Sequence, residues 1–343
     1  MITPGEIMRK IFFLIVLLSF NFTAYSQVAT HSLDPTSVAE APAAAANRTY
    51  NTIGSRFYYG TGDREVSGET TNELQTTGFD LIIGYQDNTW AGEVEYLPGY
   101  KTTVKSEGME YDVNEQNILI NLAFPFTEST ILGGKYQQYE HHHNVDGTEL
   151  YEATETTMGV GLTWSLGESF FLGFGLETVE DEEKENFRVG NKWMNMQLGI
   201  GFFMGDSNNP IRFEYSRISS DETVEESKGA KDGNVHPETL DTRIAIEYKS
   251  NEWLFLFENQ TITEKWNTDK SGTKFRKIGK FYNNAPLGKE SKYVRYTIGF
   301  VIVPNQGMTL GMKYHDQKEE YDTNNEGKIS SLRELEFLLG YNF

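Results

Sequence analysis

Leu335-Glu336-Phe337-Leu338-Leu339-Gly340-Tyr341-Asn342-Phe343 closes the chain, and its reading decides the fold. In an extended strand successive side chains point to opposite faces, so Leu335, Phe337, Leu339, Tyr341 and Phe343 share one side. Glu336, Leu338, Gly340 and Asn342 share the other. The same alternation recurs upstream in segments of about ten residues. Phe79, Leu81, Ile83 and Tyr85 oppose Asp80, Ile82 and Gly84. Ile118, Ile120, Leu122 and Phe124 oppose Asn117 and Asn121, and Met194, Met196, Leu198, Ile200 and Phe202 oppose Asn195, Gln197, Gly199 and Gly201. Less regular versions lie near 52–63, 131–140, 211–218 and 252–261.

A water-soluble sandwich also alternates, but it hides its apolar face. Here the apolar faces are long and end on aromatics such as Trp90, Tyr96, Trp164, Trp253 and Tyr314, while the opposite faces carry glycine and charge. That is the pattern of strands with lipid outside, water inside and aromatic girdles at both interfaces. The expected fold is all-β, a transmembrane antiparallel up-and-down β-barrel. Short connections at Gln86–Thr89, Phe126–Thr130, Ser165–Ser169, Gly205–Pro210, Lys249–Glu252 and Val303–Gly307 alternate with long ones. The long ones fall near 62–76, 101–112, 141–150, 180–191, 219–238, 263–291 and 317–331. Short turns face the periplasm and long loops the outside in such barrels, and the connections imply about 14 strands, within a range of about 12–16.

Arg9-Lys10 followed by the apolar run Ile11 to Phe20 and the small or polar residues to Ala24-Tyr25-Ser26 reads as a secretory leader over 1–26, cleaved near Ser26. The apolar run, about ten residues, is too short to span a bilayer as a helix. Residues 27–49, with the alanine-rich stretch Ala41 to Ala46, then form a short periplasmic extension, expected as a disordered tail with a short plug helix or peptide in the lumen as the alternative, and 50–343 the barrel. The chain carries 30 basic and 50 acidic side chains, a net charge of −20, with no basic tract suited to nucleic acid. It contains no cysteine, which excludes disulfides, thiolate metal sites and cysteine nucleophiles.

Strand parity assigns charged residues to the interior: the acids Asp80, Glu93, Glu95, Glu177, Glu214, Asp241, Glu247, Glu258, Glu334 and Glu336, and the bases Lys135, Arg212, Arg243, Arg295 and Lys313. Charges of both signs on one wall need water or partners. They form either a salt-bridged, solvated lumen or a selectivity lining in which the excess of acids favours cations. The longest connection breaks the acidic trend of the others with Lys274, Arg276, Lys277 and Lys280, and a basic loop above an acidic lumen can fold inward as a lid. His141-His142-His143 would be split between faces by alternation and is expected in an exposed polar loop rather than a metal site. Neither a metal nor a cofactor is expected. The histidines His31, His141, His142, His143, His236 and His315 sit in no nucleophile setting, so no enzyme activity is expected.

A chain that ends on the strand quoted above after a secretory leader resembles the outer-membrane β-barrel proteins of Gram-negative bacteria. The resemblance implies an outer-membrane location among lipid and lipopolysaccharide, and a barrel-assembly machinery that reads the final strand through Phe337, Leu339, Tyr341 and Phe343. In strand count it is similar to the monomeric 14-stranded porins. That implies passive diffusion of small hydrophilic solutes or ions, mildly cation-preferring and gated by 263–291 if that loop closes. The fatty-acid transporters, carriers of hydrophobic small molecules, have a similar strand count, but their usual plan includes a sizeable N-terminal hatch and an apolar lumen. A structural or adhesive barrel without an open pore is the remaining alternative.

Overall fold

A computed structural model describes residues 33, 35, 37, 41–47, 50–66, 69–106, 109–167, 169–184, 189–206, 208–221, 237–266, 273–278, 281–286, 290–323 and 326–343. The leader, 1–26, lies outside them. Barrel strands follow in order as β1 (Thr52–Val66), β2 (Glu69–Gln86), β3 (Ala91–Ser106), β4 (Met109–Thr127), β5 (Thr130–Val145), β6 (Thr148–Leu166) and β7 (Phe170–Lys184). They continue as β8 (Val189–Met204), β9 (Ile211–Asp221), β10 (Pro237–Ser250) and β11 (Trp253–Trp266). A hairpin of β12 (Thr273–Ile278) and β13 (Phe281–Pro286) interrupts the series before β14 (Glu290–Ile302), β15 (Gly307–Thr323) and β16 (Glu326–Asn342). All strands but β12 and β13 close into one antiparallel barrel in which β1 pairs with β16.

The final strand behaves as its alternation requires. Leu332, Glu334, Glu336, Leu338 and Asn342 are buried, while Phe337, Leu339, Tyr341 and Phe343 are exposed. Exposed apolar side chains continue around the circumference, among them Phe57, Leu81, Phe124, Val160, Leu198, Ile244, Phe257, Ile298 and Leu310. A soluble protein does not display so continuous a greasy belt; lipid covers it here. The girdle aromatics Trp90, Tyr96, Phe126, Trp253 and Tyr314 are exposed on the same surface.

All six expected short turns are present, at one end of the barrel. The expected long loops are mostly not loops. β1 and β2 stay paired to Val66↔Glu69, β3 and β4 to Ser106↔Met109, β5 and β6 to Val145↔Thr148, and β15 and β16 to Thr323↔Glu326. Beyond the bilayer the outer face of a strand meets water instead of lipid, so the hydrophobic period fades while the hydrogen-bonded ladder continues. Asp146 and Gly147 make the β5–β6 reversal with φ of 47° and 79°, the left-handed pair that a tight hairpin turn demands. Among the described residues, a ladder fault shared by both flanks of a strand lies in β3. The register shifts between Leu97 and Tyr100, where Pro98-Gly99 adds a residue, so that both Leu97 and Tyr100 are buried.

The β2–β3 turn has its own lock. The Asp87 carboxylate accepts the Thr89 hydroxyl (2.7 Å), the Thr89 N–H (2.7 Å) and the Trp90 N–H (3.0 Å). These bonds lower its pKa from the usual 3.8 to about 2. Because the folded value is depressed, this carboxylate stabilises the turn above the ordinary value, and the contribution is lost as pH falls through about 2. In detergent micelles the Thr89 and Trp90 amide resonances are expected to titrate with a midpoint near 2. A midpoint at the ordinary carboxylate value would show that the turn does not hold the ionised form.

Candidate functional site

The barrel interior is layered, and the layer nearest the short turns is apolar. There the alanine-rich segment, expected to be a disordered tail, is ordered instead: Pro42–Asn47 forms a 3-10 helix. Ala41, Ala43, Ala44 and Ala46 pack against Ala91 at the start of β3, Ala123 near the end of β4 and Ile131 at the start of β5. Methyl-sized residues on both partners allow this close approach, and alanine carries no side-chain entropy into the contact. Leu33 reaches the opposite wall, joining Tyr50 in a cluster with Leu254, Val301, Val303 and Leu338. Its N–H donates to Glu247 at 2.6 Å, and the Lys249 ammonium lies 4.6 Å from the centre of the Tyr50 ring. Among the described residues, Ala41, Ala43, Ala44 and Ala46 thus pack on the β3–β5 wall and Leu33 and Tyr50 on the β10–β16 wall, both at the periplasmic mouth.

Above this floor lies a belt of ion pairs. Arg56 on β1 is its hub: Nη2 is 2.6 Å from both Asp80 and Glu95, and Nε donates to Asp80 at 2.8 Å. Tyr58 donates its hydroxyl to the same Asp80 at 2.6 Å. Lys135 pairs with Glu177 at 2.8 Å, Arg295 with Glu258 at 2.6 Å and Arg243 with Asp241 at 3.4 Å. Arg212 binds Glu247 through Nε and Nη2 and also reaches Glu214. Lys313 and His315 both meet Glu336 at 3.1 Å, with the other ring nitrogen of His315 on the Thr297 hydroxyl at 2.9 Å. Glu334 accepts from Tyr100 and Thr76, and Asn121 donates to the buried Glu93 at 3.4 Å.

Every charged residue assigned to the interior by parity is thus found in this belt, but as a network rather than as separate rings. The network encloses a cavity of 490 Å³. Its wall includes Glu95, Lys135, Glu177, Asp241, Arg243, Glu247, Glu258, Arg295, Lys313, Glu334 and Glu336. Asp80, Glu93, Arg212 and Glu214 do not line it. Arg56, Tyr58 and Tyr100 escaped the sequence reading, although Ile53, Phe57 and Tyr59 on the outer face of β1 place Arg56 and Tyr58 inside by the same parity.

Toward the outer end the interior turns apolar and aromatic again. Leu74, Val104, Tyr293 and Leu332 form a buried cluster with Tyr111 and Ile262 packed against it. The three consecutive histidines lie in β5, not in an exposed loop, because the strand continues to Val145. His141 and His143 share the inner face with ring nitrogens 2.7 Å apart, and His143 also meets the Tyr111 hydroxyl. Tyr139 donates to Glu115 at 2.5 Å beside them. His142 faces outward, near Glu149 and Glu152. Lys274, Arg276 and Lys277 lie on the β12–β13 hairpin, which pairs with itself as a separate two-stranded sheet; Lys280 lies outside the described residues.

No family model and no curated protein matches the chain. Solved structures do. The Pseudomonas putida toluene transporter TodX matches with a TM-score of 0.56 at 10% identity, covering 94% of this chain and 99% of that one. The Ralstonia pickettii toluene transporter TbuX matches with a TM-score of 0.56 at 10% identity, over 92% of this chain and 96% of that one. A Pseudomonas aeruginosa FadL homologue matches with a TM-score of 0.53 at 10% identity, over 92% and 96%. The fold is the 14-stranded barrel of Gram-negative outer membranes. The monomeric 14-stranded porins expected from the sequence share its closed, antiparallel, lipid-facing plan.

Proposed function

We propose that this protein is an outer-membrane channel for small hydrophobic or amphipathic molecules rather than an open pore for hydrophilic solutes. The observation that carries this reading is the floor. A diffusion pore needs a continuous water column, and here Ala41, Ala43, Ala44 and Ala46 are buried against one wall of the periplasmic mouth and Leu33 against the other. The pairing in the belt lends weight to it, since its bases are held by carboxylates rather than set in open rings around a water column. The toluene transporters of similar fold fit the same reading.

On this reading the protein transports rather than catalyses, by binding and release through the barrel. Assembly proceeds through the outward face of β16, where Phe337, Leu339, Tyr341 and Phe343 are exposed for the machinery that inserts the barrel among lipid and lipopolysaccharide.

Cells expressing the full chain in a strain without its own hydrocarbon transporters are expected to take up ethylbenzene saturably. Proteoliposomes containing the purified barrel are expected to swell little in arabinose. Rapid sugar-driven swelling without saturable ethylbenzene uptake would return the protein to the general porins.

A further inference from the structure

The cavity inside the belt is not the lining a pure hydrocarbon would select. Gln197 on β8 is 6% exposed, lines the cavity, and has no hydrogen-bond partner for either its amide oxygen or its amide nitrogen among the described residues. Its amide rests over Gly175, where a Cβ would come within 2.8 Å of Oε1, so the glycine opposite leaves the space that the side chain uses. A buried donor and acceptor left unmade cost free energy unless a guest or water satisfies them. Ile218 is paired directly with Gln197 across the ladder and also lines the cavity, so aliphatic surface adjoins the unsatisfied amide.

The charges exclude one class of guest. Carboxylates outnumber bases on the cavity wall, and the Lys135 and Arg295 cations are already held by Glu177 and Glu258. An anionic head group would have to break one of those pairs and then face the remaining acids. A neutral head group with its own donor and acceptor breaks nothing.

We propose that this cavity binds the uncharged hydroxyl- or amide-bearing end of a small amphipathic molecule, with Gln197 as its hydrogen-bonding partner and Ile218 against its apolar part. The proposal rests on the reading of the barrel as a carrier of hydrophobic cargo, and it narrows that cargo to neutral amphipaths.

Ethylbenzene, 2-phenylethanol, 2-phenylacetamide, phenethylammonium and phenylacetate share an apolar body and differ in the head. Binding to the detergent-purified full chain is measured by calorimetry, and uptake is measured separately in cells. The alcohol and the amide are expected to bind at least about tenfold more tightly than phenylacetate and ethylbenzene, the scale of one satisfied buried hydrogen bond. Gln197→Leu is expected to remove that preference, and Gln197→Asn to retain part of it. Binding of phenylacetate as tight as that of the alcohol, tightest binding of phenethylammonium, or an unchanged preference in Gln197→Leu would each overturn the assignment. So would no binding of any member, which is the result if the cavity holds only water. Uptake of ethylbenzene without discrimination by head group rejects this site alone. Selective binding of the alcohol without any uptake keeps the site and rejects transport.

Discussion

Deleting residues 33–47 is expected to raise the ion current through the barrel in planar bilayers by about tenfold or more. The segment covers the mouth through the alanines on Ala91, Ala123 and Ile131 at one wall and Leu33 on Leu254, Val301 and Leu338 at the other. Its grip is small. Four buried alanine methyls contribute about 3 kcal/mol at about 0.8 kcal/mol each. The barrel ladder, by contrast, makes backbone hydrogen bonds around the full circumference and needs nothing from the segment to close. Removal should therefore leave a folded barrel, recognisable by its usual shift in gel mobility on heating. Ala44→Glu gives a milder version, since that residue is 2% exposed and a charge there has no partner in the cluster. A folded deletion variant with the same conductance as the parent would place the barrier elsewhere, in the charge belt or the outer aromatic cluster.

What could be read from the chain depended on where a water–hydrocarbon boundary imposed a period. β16 was legible residue by residue because lipid faces Phe337 and Leu339 while the interior faces Glu336 and Leu338. The six turns were legible because each interrupts such a pattern. The outer strand extensions were not, since Thr102 to Lys105 and Glu110 to Asn114 meet no hydrocarbon and lose the period though the ladder holds. Alanine at 41–46 has no period to show, and its partners across the mouth are small residues far away in sequence. His141 and His143 were correctly split from His142, but their meeting on the inner face required knowing that β5 runs on past them. Parity placed the lumen charges on the inner wall and was silent on who pairs with whom. Lys135 on β5 reaches Glu177 on β7 by passing over β6, which is open because Gly159 stands between them; a Cβ there would come within 2.8 Å of the Glu177 side chain.

Arg56→Met is expected to destabilise the barrel by about 3–5 kcal/mol, because it strands buried acids rather than because it removes an attraction. Asp80 is 1% exposed and receives three things from its surroundings: the Arg56 guanidinium, the Arg56 backbone N–H at 3.1 Å and the Tyr58 hydroxyl. Without the guanidinium, two neutral donors remain for a full negative charge in the interior. Glu95 loses the same partner but faces the cavity, where water can reach it. The loss should therefore be mostly that of Asp80. Adding Asp80→Asn to Arg56→Met removes the stranded charge and is expected to recover most of the stability, although it restores no ion pair. Asp80→Asn alone should cost less than Arg56→Met, since Arg56 keeps Glu95 at 2.6 Å. Urea unfolding of the barrel in lipid vesicles, followed by tryptophan fluorescence, measures all three variants. Additive losses in the double variant would mean that the two side chains do not share one buried charge balance, and equal single losses would mean that Glu95 does not hold Arg56. The expected asymmetry, with the missing cation worse than the missing acid and the double change milder than the former, follows from burial alone and does not depend on what the barrel carries.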